Sequence, residues 1–337
     1  MKKIRVAVNG FGRIGRAFVR QIWDREDIEL VAVNDLGSHE NLAYLLKYDT
    51  VYGRAPFTVE VKGNGLVING KEVSVLGEKE PRNLPWKDLA IDVVVESTGL
   101  FTDYEKAHAH IEAGAKHVVI TAPVKEDSPF GKTVLMGVNE EEVGTCPITS
   151  NASCTTNAGS PLIAILDEAI GIEKALLSTT HGYTASQSLV DGPSKKDMRE
   201  GRAAAQNIVP TSTGAAIAVT KAYPSLEGKF DGISMRVPVP AGSMVDVTFL
   251  AKRNTSAEEV NDILRKAGQN ARWQGIFSTT DEQLVSSDIV GERVASIADL
   301  SMTRVVDGNL VKVLAWYDNE AGYTNTLVEH VIKAGND

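Results

Sequence analysis

The sequence predicts an α/β chain in two parts: a first half built on a parallel sheet with helices between its strands, and a second half of α+β type with a mixed or antiparallel sheet. Three observations predict it. Short β-rich runs alternate with helix-spaced apolar stretches over roughly the first 150 residues. Longer strands with polar alternation follow, as in Ser243–Leu250 and Leu310–Tyr317. The length, 337 residues, suits two domains better than one.

The first run, Ile4–Val8, leads directly into Gly10-x-Gly12-x-x-Gly15, and Ala17–Trp23 then carries apolar residues at helical spacing. A second β run, Ile28–Val33, ends in Asn34-Asp35, with the acid twenty positions beyond Gly15. A glycine triplet alone could be any loop. In this strand–turn–helix–strand–acid context it is the dinucleotide fingerprint of a Rossmann-type domain. Gly10 permits the tight turn, Gly12 lets the backbone approach a pyrophosphate, and Gly15 allows close helix–strand packing. The helix N-terminus then faces the phosphate anions. Asp35 is placed to accept hydrogen bonds from a ribose and to repel a 2′-phosphate, which favours NAD over NADP.

Asn64-Gly65 and Asn69-Gly70 predict hairpin turns inserted in this first domain. Ile91–Glu96 and His117–Ala122 read as further strands, and residues 103–113 as a helix. His108 and His110 are expected there as surface or cap residues, because no cysteine or carboxylate cluster converges on them.

In Ser153-Cys154-Thr155-Thr156-Asn157 a cysteine sits among small hydroxyl and amide residues, ahead of the helix-like run Leu162–Leu166. The thiol therefore falls at a helix N-terminus, where the macrodipole and unpaired N–H groups favour the thiolate. Pro161, seven positions on, predicts a kinked or delayed helix. His181 ends the apolar run from Ala175, twenty-seven positions after Cys154. A cysteine and a histidine so placed are the minimum for covalent catalysis on a carbonyl. Arg236, amid Ile233, Met235 and Val237, wants an anionic partner; a structural salt bridge is the alternative. Thr211–Ala216 offers hydroxyls and backbone before a helix-like run, as an anion nest would. Residues 258–267 are expected to form a covering helix, and the stretch after Glu320 a helix that returns to the first domain.

Composition narrows the function classes. The formal net charge of -9, with no Lys/Arg block beyond the pair Lys195-Lys196, speaks against a dedicated nucleic-acid partner. No apolar run is long enough to span a bilayer, and the basic start at Lys2-Lys3 gives way at Asn9-Gly10 before a signal peptide is complete. Two cysteines, Cys146 and Cys154, make neither a disulfide framework nor a metal site. Cys146 is expected as a small buried hydrophobe. A working thiol favours a reducing compartment, the cytoplasm.

Asn151–Asn157, Asn9–Arg16 and Trp316–Glu320 together resemble the signatures of phosphorylating glyceraldehyde-3-phosphate dehydrogenase, in that family's order and over essentially the whole chain. The resemblance implies an NAD-binding domain over residues 1–153, to which a helix at about 320–337 returns, and a catalytic domain over 154–319. It implies oxidation of glyceraldehyde 3-phosphate with inorganic phosphate and NAD through hemithioacetal and thioester intermediates on Cys154, with His181 as acid–base. Arg13, Ile14, Thr98, Gly99 and Thr121 would border the cofactor, with Lys79 near the adenine and Asn319 on the nicotinamide carboxamide. Thr184 and Arg236 would hold the substrate phosphate, Ser153, Thr155, Thr213 and Gly214 the attacking phosphate, and Arg199 is a further phosphate contact. A homotetramer is implied, since the loop at Gly192-Pro193-Ser194 approaches a neighbouring subunit's cofactor in the family. The chain departs from the common pattern at Ala158, Gly182, Lys79, Ala241-Gly242 and Arg199–Arg202. Erythrose-4-phosphate dehydrogenase, which shares fold and nucleophile, is the nearest alternative; His181-Gly182-Tyr183-Thr184 keeps the threonine of the triose enzyme. A non-catalytic binding role is the other alternative.

Overall fold

The computed structural model describes residues 3–126, 128–194 and 197–337. Lys195 and Lys196, the basic pair of the sequence, lie outside the described residues, as do Met1 and Lys2. The chain divides into two compact units. The first comprises residues 1–136, 140–152 and 327–337; the second comprises 137–139 and 153–326.

The first unit begins with β1 (Ile4–Asn9), α1 (Arg13–Ile22), β2 (Ile28–Asn34) and α2 (His39–Lys47). A two-strand ribbon of β3 (Tyr48–Asp49) and β4 (Gly53–Arg54) precedes the meander β5 (Val59–Lys62), β6 (Gly65–Ile68) and β7 (Lys71–Leu76). Then come β8 (Val93–Glu96), α3 (Tyr104–Glu112), β9 (His117–Ile120), β10 (Gly131–Thr133) and β11 (Ile148–Ser150). Nine of these strands form one sheet in the order β10-β11-β9-β8-β1-β2-β7-β6-β5. It is parallel from β10 to β7, and only the β5–β6–β7 meander is antiparallel. The chain moves outward from β1 in both directions, so the crevice at the carboxyl ends of β1, β2 and β8 is the topological switch point where such sheets bind ligands.

The meander turns are made by Gly63-Asn64, one residue earlier than the Asn-Gly pattern suggests, and by Asn69-Gly70. Gly63 adopts φ +58°, and Asn69 and Gly70 adopt +46° and +82°, the left-handed values that tight hairpins demand.

His110 corrects its expected surface position. It is wholly buried, with Trp86 Nε1–H donating to its Nδ1 at 2.9 Å. Because indole can only donate, Nε2 carries the proton and donates to Glu96 at 3.0 Å. Glu96 also accepts from Asn9 Nδ2 at 2.6 Å and from the Thr98 N–H at 2.8 Å, and so fastens the ends of β1 and β8 at the crevice.

The second unit starts at α4 (Cys154–Ile170) and continues through β12 (Ile172–Gly182), β13 (Val209–Ser212), α5 (Ala215–Ala222), β14 (Phe230–Val237), β15 (Ser243–Ala251) and α6 (Ala257–Gly268). It ends with β16 (Phe277–Thr280), β17 (Ser296–Asp299), β18 (Arg304–Val306), β19 (Leu310–Tyr317) and the start of α7 (Ala321–Asn336), whose residues from Leu327 onward belong to the first unit. Its eight-stranded sheet runs β13-β14-β12-β15-β19-β17-β16, with β18 on β19. The sheet is mixed: β12 pairs parallel with β14 and antiparallel with β15. Helices α4, α5 and α6 pack on it, and strict alternation along β15 buries Val245, Val247 and Phe249.

Pro161 neither breaks nor delays α4, which runs unbroken from Cys154 to Ile170. An internal proline costs about 3 kcal/mol. Leu162, Ile163 and Leu166 are fully buried, and each such side chain contributes about 2 kcal/mol, so packing outweighs the lost hydrogen bond.

His330, on the part of α7 in the first unit, is wholly buried between Asn151 Oδ1 at 3.1 Å and Thr149 Oγ1 at 2.8 Å. Burial holds its pKa down at about 3, against 6.5 for a free imidazole. The unfolded chain takes up this proton below pH 6.5 and the folded chain does not, so the penalty is absent above 6.5 and grows as the pH falls towards 3. At pH 5 it amounts to about 2 kcal/mol. Urea titrations at pH 7 and 5 should show His330→Gln losing about that much less stability between the two pH values than the unmodified chain; equal losses would contradict the linkage.

Candidate active site

The dinucleotide crevice lies in the first unit. Gly10 has φ +92°, and a Cβ there would meet the Thr98 backbone nitrogen at 2.5 Å. A Cβ on Gly15 would meet the Gly10 carbonyl at 2.3 Å. These two glycines are therefore packing requirements. Gly12 is different: it is the N-cap of α1, offers no side-chain cap, and a Cβ there would meet nothing within 4 Å. No acidic residue occupies the first turn of α1. Open space before uncapped, anion-attracting N–H groups fits a pyrophosphate.

Asp35 follows β2. Its carboxylate accepts the Phe11 N–H and the Gly37 N–H, both at 2.8 Å, so it anchors the glycine turn as well as facing the crevice. Thr98, Gly99 and Thr121 follow the carboxyl ends of β8 and β9. The Thr98 hydroxyl bonds the Glu96 carboxylate at 2.5 Å, and Thr121 Oγ1 donates to the Glu96 carbonyl at 3.1 Å. Arg13 pairs with Asp49 at 2.8 Å. Ile14 is half-buried, and Lys79 is exposed beyond the end of β7.

The thiol site lies in the second unit. Ser153 is the N-cap of α4 in extended conformation (φ -113°, ψ 166°), and its Oγ accepts the Thr156 N–H at 3.1 Å. Cys154 is thereby the first residue of the helix. His181, near the end of β12, points Nε2 at Cys154 Sγ across 3.2 Å. Its Nδ1 lies 2.6 Å from the Gly182 carbonyl oxygen. That oxygen can only accept, so with Nδ1–H donating to it, Nε2 is left bare towards the thiol.

Arg236, paired with His181 in the β12–β14 register, puts Nη1 2.5 Å from Nδ1 and 3.3 Å from the Gly182 oxygen. A guanidinium can only donate. Nδ1 therefore cannot accept from Arg236 and donate to Gly182 at once. Among the described residues no carboxylate pairs with Arg236, which leaves its charge available to an outside anion.

Electrostatics sharpen the site. Burial pushes the Cys154 thiol up, opposed by the Arg236 charge and by the backbone N–H and hydroxyl of Thr155. Burial, then Arg236, pushes His181 down to about 3. Burial thus shifts the thiol away from the thiolate, against the expectation from its position at the helix terminus. Moving the thiol proton to Nε2 creates both charges together, and their attraction across 3.2 Å is about 5 kcal/mol at an effective dielectric constant of about 20.

The remaining candidates are more scattered. Thr184 Oγ1 bonds Ser186 Oγ at 3.0 Å. Arg199 is exposed and forks onto Asp197 at 2.7 Å. Thr213 Oγ1 accepts the Ala215 N–H at 3.2 Å, and Gly214 is the bare N-cap of α5. Asn319 Oδ1 accepts from Ser243 Oγ at 2.9 Å, and Ser243 Oγ accepts the Gly182 N–H at 3.1 Å. Sequence reading assigned no role to Ser243, to Thr179 or to Tyr317, although Tyr317 lies within the Trp316–Glu320 signature; Tyr317 OH lies 2.9 Å from Thr155 Oγ1 and 2.8 Å from Thr179 Oγ1. Cys146 is half-buried, and its thiol donates to the Ile148 carbonyl at 3.2 Å. Among the described residues, no group of three or more His, Cys, Asp or Glu could hold a metal ion, and no helix is long and apolar enough to cross a membrane.

Family models of the glyceraldehyde 3-phosphate dehydrogenase NAD binding domain and C-terminal domain match residues 4–104 and 153–319. The chain is 46% identical over 336 residues to a glyceraldehyde-3-phosphate dehydrogenase of Streptomyces coelicolor, covering 99% of each chain. It is 47% identical over 328 residues to that of Geobacillus stearothermophilus, covering 97% of this chain and 96% of the relative. With a Leishmania mexicana relative described as cytosolic it shares 46% over 329 residues, 98% of each chain. With both units matched and full-length relatives at this identity, the chain belongs to the glyceraldehyde-3-phosphate dehydrogenase family and oxidises glyceraldehyde 3-phosphate with NAD.

Proposed function

We propose that Cys154 is the nucleophile and His181 the acid–base of this reaction. The supporting observation is the 3.2 Å Sγ–Nε2 contact at the first residue of α4, with Nδ1 turned to the Gly182 carbonyl. Sγ gives its proton to Nε2 and attacks the aldehyde carbon, forming a hemithioacetal. The oxyanion is met by the protonated imidazole and by the Cys154 N–H, which has no intrahelical partner at this position. His181 then takes the hemithioacetal hydroxyl proton as the C–H bond breaks. NAD, when bound, supplies the acceptor for that hydride. Inorganic phosphate attacks the resulting thioester, releases the acyl phosphate 1,3-bisphosphoglycerate, and returns the sulfur to Cys154.

The Arg236 guanidinium takes the substrate phosphate in this reading, together with Thr184; Thr213, Gly214, Ser153 and Thr155 serve the attacking phosphate, with Arg199 more remote. Drawing Arg236 towards a phosphate frees Nδ1–H to bond Gly182, so substrate arrival primes the base. Asn319, oriented by Ser243, holds the nicotinamide amide. Gly10, Gly12, Gly15, Arg13, Ile14, Asp35, Thr98, Gly99, Thr121 and Lys79 make up the cofactor crevice.

The enzyme assembles as a homotetramer and works in the cytoplasm, where a catalytic thiol stays reduced. Assembly is supported by the bare outer face of the second sheet. Leu176 and Ile233 there are 66% and 54% exposed, beside Val306 and Leu310. A patch of large aliphatics on a sheet face marks an association surface.

Four outcomes test this reading. Cys154→Ser should lose at least a thousandfold in substrate-dependent NADH formation while still binding NAD in a fluorescence titration, and omitting phosphate should stop steady turnover of the unmodified enzyme; normal rates in either experiment would rule out the thioester route. Asp35→Ala should weaken NAD binding and narrow the preference over NADP by tenfold or more, the opposite of an unchanged NAD/NADP ratio of kcat/KM. Leu176→Glu should reduce the sedimenting mass below that of a tetramer, and an intact tetramer in that variant would remove this face from the assembly.

A further inference from the structure

Tyr317 closes β19 with its side chain buried, and nothing in the chemistry above requires its hydroxyl. That hydroxyl bridges Thr155, next to the nucleophile on α4, and Thr179, two residues before His181 on β12. Thr179 Oγ1 in turn lies 3.1 Å from the Met244 carbonyl oxygen. Phenylalanine would fill the same volume without a buried polar atom that must be partnered.

The three hydroxyls own three protons, and that count permits two orders. In the first, Thr179 donates to the Met244 oxygen, Tyr317 donates to Thr179, and Thr155 donates to Tyr317. In the second, the two bonds between hydroxyls reverse and the one to Met244 is lost: Thr179 donates to Tyr317, Tyr317 donates to Thr155, and the Thr155 hydroxyl is free to donate outward. Thr155 adjoins the sulfur, and its hydroxyl and N–H both oppose the upward shift that burial imposes on Cys154.

We propose that Tyr317 is a positioning residue for the thiol: the Thr179–Tyr317–Thr155 relay reverses when Cys154 loses its proton and turns the Thr155 hydroxyl onto Sγ. The inference rests on Cys154 being the nucleophile. The thiol proton goes to His181 Nε2, no covalent bond in the relay breaks, and each hydroxyl only rotates about its C–O bond. The reversed order gives up the hydroxyl on the Met244 carbonyl and gains a hydrogen bond to a charged sulfur, which is roughly twice as strong as a neutral one. Among the described residues, the titratable or charged groups facing Cys154 are His181 from β12, Arg236 from β14 and Tyr317 from β19; the first turn of α4 carries no acidic residue.

The test follows Cys154 alkylation by iodoacetamide against pH, with kcat and the KM for NAD, in the intact enzyme. Tyr317→Phe should raise the pH midpoint by about one unit, a tenfold loss of thiolate below the midpoint, lower kcat similarly, and leave the KM for NAD in place. Thr179→Val should move the midpoint in the same direction, and Thr179→Ser, which keeps a hydroxyl, should restore it. Should Tyr317→Phe fail to fold, the Thr179 pair decides. Folded variants with unmoved midpoints, or Thr179→Ser shifting as far as Thr179→Val, would overturn the relay. Full turnover by the unmodified enzyme after Cys154 has been alkylated would instead remove Cys154 from the mechanism.

Discussion

A thiol and an imidazole 3.2 Å apart, in surroundings where burial disfavours the charged form of each, set the terms for the second unit. Moving a proton from one to the other creates both charges together, so their separation and orientation set its cost. Most of the polar bonds around the pair can be read as fixing those two quantities. Ser153 ends the chain's extended run and starts α4 with Cys154 as its first residue. The Gly182 carbonyl and the Arg236 guanidinium compete for His181 Nδ1, and so for the tautomer. Ser243 holds the Gly182 N–H, and Tyr317 joins the first turn of the helix to the strand that carries His181.

Local patterns carried much of this into the sequence. The strand–glycine–helix–strand unit with Asp35 at its end, the long alternating strands β15 and β19, and the capped thiol at a helix start are all short-range features, each legible within about twenty residues. What stayed hidden depends on partners far apart in sequence. His110 looks like a surface helix residue until Trp86, Glu96 and Asn9 close around it, the last 101 positions away. Pro161 looks like a helix breaker because propensity ignores the burial of Leu162, Ile163 and Leu166, which decides the matter. Tyr317 lies within the Trp316–Glu320 signature, but its hydroxyl partners come together only where β19, β12 and α4 meet.

Charge was the least legible property. Position at a helix N-terminus argues for a lowered thiol pKa, and the macrodipole term is real, worth about 0.3–1 kcal/mol at exposed sites. Burial opposes it and is the largest cause at Cys154. No one-dimensional reading can weigh these two, because desolvation depends on how the sheet and helices pack over the sulfur. The same holds for Arg236. Its apolar neighbours in sequence suggested a need for an anion, but only the β12–β14 register puts the guanidinium on the imidazole.

That register gives Arg236 two incompatible demands. Against His181 it meets a nitrogen that cannot both accept from it and donate to Gly182. Against a phosphate it would make charge-assisted, bidentate bonds, which are roughly twice as strong as neutral ones. A guanidinium parked on the base keeps the imidazole from accepting a proton, and the same guanidinium drawn to an incoming phosphate removes that opposing charge. Under the roles proposed above for His181 and Arg236, substrate recognition and general-base activation share one side chain: a phosphorylated aldehyde would release the base that a small unphosphorylated aldehyde leaves blocked, and specificity would enter through the chemical step as well as through binding.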